Sequence, residues 1–300
     1  MSAPARRLVD RPGFWGFLFV FPWLAGFVLF TAGPMLASLF LSFTKYDLAS
    51  MKWIGGENYR RLFYEDPLFW KSLQVTAVYA LFTVPLGIAG SLGLALLLNQ
   101  KVRGQRLFRT FFYLPSLVPA VASSLLWAWI FNADHGLLNY GLSLFGWGGA
   151  EWLADERYTL PAFILMSLWG VGGGRMVIFL AGLQGISETY YEAARIDGAG
   201  PWRQFRNVTL PLLSPVMFFN LILGFIGAFQ TFTQAYIMTA GGPNNATLFY
   251  ALYLFRNAFE YFKLGKASAL AWVLFAILLV LTAIQFWASK RWVHYEGEKS

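Results

Sequence analysis

Ser187-Glu-Thr-Tyr-Tyr-Glu-Ala-Ala-Arg-Ile-Asp-Gly198-Ala-Gly-Pro201-Trp-Arg-Gln-Phe-Arg-Asn-Val-Thr-Leu-Pro211 is a polar insert between two long apolar runs, 158–187 and 212–238. Thr189 and Glu192 are spaced as a capping box, so the sequence predicts a helix over Tyr190–Asp197 that Gly198 stops. Pro201 predicts the start of a second short helix, Trp202–Asn207, which Leu210-Pro211 would end at the membrane. Helix, glycine turn and helix make a compact knob. Its first helix carries the small Ala193 and Ala194, over which another surface can close, flanked by Glu188, Glu192 and Asp197 for polar contacts. A capped helix of this kind fits either a passive membrane-surface element or a docking element, and local physics alone leaves both readings open.

Outward from this insert the chain is a series of apolar runs. Residues 14–44, 72–100, 110–133, 158–187, 212–238 and 267–289 are each long enough to cross about 30 Å of hydrocarbon, which predicts a six-helix, all-α integral membrane protein. Between the last two runs, Thr239-Ala-Gly-Gly-Pro-Asn-Asn-Ala-Thr247 is a turn cluster that no spanning helix would carry. Of the 300 residues, 57% are hydrophobic and only 13% charged, whereas a soluble domain wants about a quarter charged. Disorder, a coiled coil and a β-barrel are excluded with it, for want of polar residues, heptads and short alternating segments respectively. The run 14–44 follows Arg6, Arg7 and Arg11 but is about twice the length of a signal-peptide core, so it is expected to remain as the first helix. Six crossings place both termini on one side. With cytoplasmic tails at 1–13 and 290–300 the inner segments hold 13 Lys and Arg and the outer segments 9, which favours both termini in the cytoplasm. Trp15, Trp53 and Trp292 stand near the predicted membrane edges, as interfacial aromatics do.

The same distribution removes several chemistries. The net charge of +8 is scattered beside apolar runs with no basic stripe, which argues for membrane orientation and against nucleic acid. There is no Cys, which removes a thiolate metal site, and the two histidines, His135 and His294, lie outside the runs, leaving almost no material for a His-based one. All 15 acidic residues lie in loops or tails, which counts against an ion-coupled carrier, whose coupling group sits within a span. Intramembrane hydrolysis lacks an HExxH, a membrane Asp pair or a GxSxG. A phosphate loop is missing too, since Gly265-Lys266 is followed by Ala267 and has Glu260 where the first glycine belongs. Uphill transport would therefore draw its energy from another chain.

Glu192-Ala-Ala-Arg-Ile-Asp-Gly198, with Thr209-Leu-Pro-Leu212 after it, resembles the EAA loop of binding-protein-dependent ABC importer permeases. Asn58-Tyr59, Gly104–Arg109 with Leu114-Pro115, Trp129–Asn132 with Gly136–Asn139, Trp152-Leu153, Gly241-Gly-Pro243 and Tyr253–Gly265 are similar to the carbohydrate-uptake branch of that family, in the maltose-permease manner but without its extra N-terminal helices and large periplasmic insert. The resemblance implies the type I importer permease (MetI-like) fold, with 187–211 as the coupling loop. It further implies that Glu188, Glu192, Ala193, Ala194, Asp197, Gly198, Leu210 and Pro211 engage an ATPase. The partners it implies are a second permease subunit, two ATP-binding subunits that bind the ATP and magnesium, and an extracytoplasmic sugar-binding protein. This chain then hydrolyses nothing, needs no cofactor, and sits in a bacterial or archaeal cell membrane.

Within the spans, Gly87, Ser91 and Ala95 recur four apart, a small-residue face expected to pack on the second permease. Gly170, Gly172, Gly173 and Gly174 loosen the middle of the fourth span, as a packing notch or as a helix break that exposes backbone to substrate. The resemblance implies the second, with Ser167, Gly170, Val171 and Gly174 facing the pathway beside Trp169. Arg175 is the one charge inside a span and would cost at least ~2.5 kcal/mol facing lipid, so it faces either substrate or an interior partner. Phe229, Gln230 and Gln234 could offer an aromatic face and neutral hydrogen-bonding groups to a sugar; polar glue between helices is the equal alternative. The competing function is a stand-alone secondary carrier or channel for a neutral solute.

Overall fold

The computed structural model describes residues 12–100 and 103–294. Most of the expected N-terminal tail, the end of the C-terminal tail and Lys101 therefore lie outside the described residues. By internal contacts the chain forms two compact units, one of residues 1–65 with 256–273 and one of residues 66–255 with 274–300.

In the first unit, α1 (Pro12–Phe27) runs through a wide turn at Val28–Ala32 into α2 (Gly33–Ser42). The wide turn shifts the hydrogen-bond ladder where Pro34 has no N–H to give, so the helix continues past a proline. None of the apolar window of Trp15–Ser42 is buried within this chain, and Trp272 Nε1 of the last apolar run donates to Ser38 Oγ at 3.1 Å. A short hairpin follows, β1 (Thr44–Tyr46) paired antiparallel with β2 (Met51–Trp53), then α3 (Glu57–Tyr64). Asn58 Nδ2 donates to the Ser42 and Thr44 carbonyls, each at 2.8 Å, and Tyr59 Oη donates to Ser42 Oγ at 2.8 Å. Asn58-Tyr59 thus ties α3 to the end of the first helix.

The second unit is built around α4 (Pro67–Asn99), which starts five residues before the apolar run. Asp66 caps it, accepting from the Leu68 and Phe69 N–H groups and from Tyr253 Oη at 2.6 Å. The predicted third span is bent: α5 (Gln105–Tyr113) and a 3-10 turn at Leu114–Leu117 meet α6 (Ala120–Ile130) at 94°. Pro119 forces Val118 into extended backbone, ψ 126°, which ends the first arm. After α7 (Leu137–Ser143), the fourth span is also two arms, α8 (Glu156–Leu168) and α9 (Gly174–Gly185), bent by 45° at a 3-10 turn over Trp169–Gly172. Asn139 holds the connection between α6 and α8, accepting from Trp152 Nε1 at 2.7 Å and donating to the Ala133 carbonyl at 2.8 Å.

Next come α10 (Glu188–Ile196), α11 (Pro201–Gln204), α12 (Leu210–Phe229), α13 (Thr233–Met238) and α14 (Tyr250–Phe255); α15 (Leu264–Ser289) supplies the last apolar run. The fifth run is not one helix, because Gln230–Phe232 interrupts it between α12 and α13. Leu210-Pro211 ends nothing: α11 passes through a wide turn at Phe205–Thr209 straight into α12, and that turn accommodates the N–H missing at Pro211. α4 packs against α8, α9, α12 and α14. Its four-apart face of Gly87, Ser91 and Ala95 is buried within this chain, which corrects the expectation that it packs on a second permease.

Among the described residues four helical segments are long and apolar enough to cross a membrane, Trp15–Ser42, Pro67–Asn99, Pro201–Met238 and Leu264–Ser289. Counting each bent pair as one crossing gives six.

Candidate functional site

Two places in the second unit carry the candidate residues. The first is the helix break in the middle of the fourth span. Trp169–Gly172 can form its tight turn here because two neighbours come close: a Cβ on Gly172 would lie 2.1 Å from the Phe112 carbonyl oxygen, and one on Gly173 2.9 Å from Ser116 Cβ. The turn is also latched to α4, where Ser91 Oγ donates to the Val171 carbonyl at 2.7 Å and Val171 Cγ1 sits over Gly90.

The break opens a cavity of ≈ 360 Å³ whose wall includes Ser167, Gly170, Val171, Gly174 and Arg175. The structure thus brings together five of the residues singled out for the pathway. Others it does not. Trp169 turns to Trp127, ring centroids 6.0 Å apart, and Phe229 is buried in packing. Gln230 is the exposed C-cap of α12 and Gln234 lies beyond the interruption on α13, so the shared helical face assumed for them does not exist. None of these four lines the cavity.

In their place stand residues that sequence reasoning missed: Tyr79 and Thr83 on α4, Ser116 after α5, Gly224 on α12 and Thr231 just past it. Three of the hydroxyls spend their protons on carbonyls of their own segments, Thr83 on Tyr79 (2.8 Å), Ser116 on Tyr113 (2.7 Å) and Ser167 on Ile164 (2.6 Å). Their lone pairs stay available to accept. Thr83 and Gly87, four apart on one helix face, were the signal that could have pointed to this wall.

Arg175 is the second residue of α9. Its guanidinium lies against two glycines on different helices. A Cβ on Gly87 would come within 2.3 Å of Nη1, and one on Gly224 within 3.5 Å of Nη2. At 87 only glycine leaves room for the head as it is seated, whereas at 224 a Cβ would make ordinary contact with it.

The second place is the polar insert. Ser187, not Thr189, caps α10, its hydroxyl accepting from the Thr189 N–H at 3.4 Å; Thr189 sits within the first turn, hydroxyl to hydroxyl with Ser187 at 2.9 Å. The helix closes as the sequence predicts. Gly198 adopts φ +74°, the Gly198 N–H donates to the Arg195 carbonyl and the Ala199 N–H to that of Ala194, the paired bonds of a Schellman stop. Tyr191 Oη meets Thr209 Oγ1 at 3.1 Å, and Gln204 Nε2 donates to the Ala199 carbonyl at 2.7 Å, so the two helices form one body.

A concavity of ≈ 380 Å³ opens on this body, lined in part by Tyr190, Ala193, Ala194, Asp197 and Arg203. Glu192 and Gly198 are exposed outside it, Glu188 is ion-paired with Arg195, and Leu210 and Pro211 are half-buried at the start of α12. Ile196 and Trp202 are 86% and 72% exposed on the same knob. Large apolar side chains held in the open beside a small-residue hollow are what a docking surface presents. Among the described residues no group of His, Cys, Asp or Glu is placed to hold a metal ion.

Residues 84–294, which include both places, match the family described as "Binding-protein-dependent transport system inner membrane component". The chain is 44% identical over 298 residues to the probable ABC transporter permease protein YesP of Bacillus subtilis (strain 168), covering 98% of this chain and 96% of that protein. It is 37% identical over 254 residues to the sulfoquinovosyl glycerol transport system permease protein SmoG of Agrobacterium fabrum, covering 84% and 82%. Its fold is similar to that of a chain in the crystal structure of a bacterial alginate ABC transporter in complex with alginate pentasaccharide-bound periplasmic protein, with a TM-score of 0.84 at 21% identity over 96% of this chain and 98% of that one. A type I importer permease fold, a polar knob between apolar helices and this breadth of match agree: the chain belongs to the family of inner membrane components of binding-protein-dependent transport systems.

Proposed function

We propose that this chain is the transmembrane permease subunit of an ATP-driven saccharide importer and contributes half of its translocation pathway. One observation carries the reading. A single helical rod, Pro201–Phe229, bears the knob's second helix at one end and the cavity-lining Gly224 near the other, so what grips the knob also moves a wall of the cavity. In this reading each bent pair makes one crossing, giving six, and both termini face the cytoplasm. Ala193, Ala194 and Asp197 receive an ATPase subunit in their hollow, Glu188, Glu192 and Gly198 border it, and Leu210 and Pro211 join it to the membrane helix. A second permease subunit completes the pathway, and a binding protein delivers the saccharide from outside. The saccharide class is supported by the names of relatives and by a wall of neutral hydroxyls that accept hydrogen bonds. ATP and magnesium belong to the partner ATPase, and this chain performs no hydrolysis.

Purification through a tag on this chain, followed by reconstitution in proteoliposomes, tests the proposal. The expected result is co-purification of an ATP-hydrolysing subunit and ATP-dependent saccharide uptake that stops when that subunit is stripped off. Saccharide flux through the chain alone, with no ATPase present, would refute it in favour of a stand-alone carrier or channel.

A further inference from the structure

Among the described residues Arg175 is the only charged one on the wall of the helix-break cavity, and no carboxylate lines that wall. Among the described residues its guanidinium makes no ion pair and no hydrogen bond. An ammonium or guanidinium inside an apolar bundle is ordinarily matched by an acid or by carbonyls. Here the opposite has been arranged. Gly87 on α4 leaves the space in which Nη1 is seated at the cavity edge, and Nη2 lies beside Gly224 on α12. Of the five side-chain hydroxyls on the wall, those of Thr83, Ser116 and Ser167 have already donated to backbone and are left as acceptors. Such acceptors suit the hydroxyls of a neutral sugar. Arg175 is the strong donor of the wall, and a guanidinium fork matches a planar or tetrahedral anion with two parallel bonds. Its position in the first turn of α9 adds the partial positive charge of a helix N-terminus to the same spot.

From this arrangement we infer that the cavity is built for an anionic saccharide, one bearing a carboxylate, sulfonate or phosphate that pairs with Arg175 while its hydroxyls bond the neutral wall. The inference rests on the importer reading above and narrows its substrate class. The competing account is that a carboxylate of the second permease subunit neutralises Arg175, and the test separates the two.

The assembled complex is purified without its binding protein, as wild type, Arg175→Gln and Arg175→Lys. Binding of a glucuronate-bearing disaccharide, a disaccharide phosphate and a 6-sulfonated glycoside is measured against the matching neutral sugars by thermal shift and direct titration. The expected result is that at least one anionic sugar binds the wild type about tenfold or more tighter than its neutral counterpart. Arg175→Gln abolishes that preference, bringing anionic and neutral sugars to equal affinity, and Arg175→Lys keeps part of it. Equal binding of anionic and neutral sugars overturns the inference, as does a preference that survives Arg175→Gln. A ligand-free complex that falls apart in Arg175→Gln but not in Arg175→Lys assigns the charge to a structural pair and also overturns it. Failure of the importer reading has a different signature: no sugar of either kind binds, and the wild-type complex shows no ATP-driven uptake.

Discussion

Gly170 and Gly172 sit two residues apart in the same 3-10 turn, yet alanine should act oppositely at the two positions. At Gly172 the new methyl carbon would lie 2.1 Å from the Phe112 carbonyl oxygen and 2.9 Å from its carbon, where ordinary contact begins at 3.4 Å, so the segments must part by roughly 1.3 Å. The obstacle is backbone and cannot rotate aside. Overpacking of this kind costs about 1–3 kcal/mol. At Gly170 nothing lies within 4 Å, and alanine in a helical turn gains roughly 0.5–1 kcal/mol over glycine from a less mobile unfolded chain. The assay is the melting temperature of the purified complex in detergent, where about 2 kcal/mol amounts to a fall of roughly 3 °C for a unit of 300 residues. Gly172→Ala should show that fall, and Gly170→Ala no fall at all. Uptake should be impaired in Gly172→Ala, since the latch from Ser91 to the Val171 carbonyl belongs to the turn that is displaced. Equal melting temperatures for the two variants would refute the claim that close approach of Phe112, rather than generic turn flexibility, keeps glycine at 172.

A β-branched residue at Gly198 should uncouple ATP hydrolysis from transport: φ +74° costs a side-chain-bearing residue roughly 1–2 kcal/mol and undoes the helix stop, so Gly198→Val should lose stimulation of the ATPase by loaded binding protein. Gly200→Ala, where φ is ordinary and nothing lies within 4 Å, should keep it; normal stimulation in Gly198→Val removes the coupling role of the loop. On α3, hydrogen bonds from Arg60 and Arg61 hold the Glu57 carboxyl down at about 2. A depressed carboxyl stabilises the fold above its ordinary value of 4.5 and loses that contribution as pH falls through about 2. Glu57→Gln should therefore differ from wild type in thermal stability at pH 6–8, with the gap closing as the pH approaches 2. A gap that does not change with pH denies the ion-pair cluster any part in it.

The sequence revealed the apolar runs because crossing a membrane demands length and apolarity, both of which can be counted along a chain. It revealed the stop at Gly198 because a left-handed residue at a helix end is a local requirement. Bends were harder. Val118-Pro119 carries the local signal for the corner in the third run, but Pro34, Pro85 and Pro211 lie in helices that continue, two of them beside wide turns, and composition does not say which proline breaks a helix. Cavity residues were half legible for a related reason. The glycine cluster announced a loose point in its own helix, whereas Tyr79, Thr83, Ser116 and Gly224 reach the same space from three other segments. Their meeting is a tertiary fact. Thr189 was misread as a cap because Ser187 offers an equivalent hydroxyl two residues earlier, and the helix takes the longer start.

The rod from Pro201 to Phe229 has a mechanical implication. From the start of α11 to Gly224 is about 23 residues, or roughly 35 Å at 1.5 Å each. A force applied at the knob travels that distance with one compliant point, the wide turn at Phe205–Thr209, and arrives at only one side of the slot holding Arg175. The other side, Gly87, belongs to α4, a helix separate from that rod. A stroke of even 1–2 Å along the rod, small beside its length, would therefore shear Gly224 past Gly87 and change how far the guanidinium projects, making the grip on a bound charge a function of the load at the cytoplasmic end.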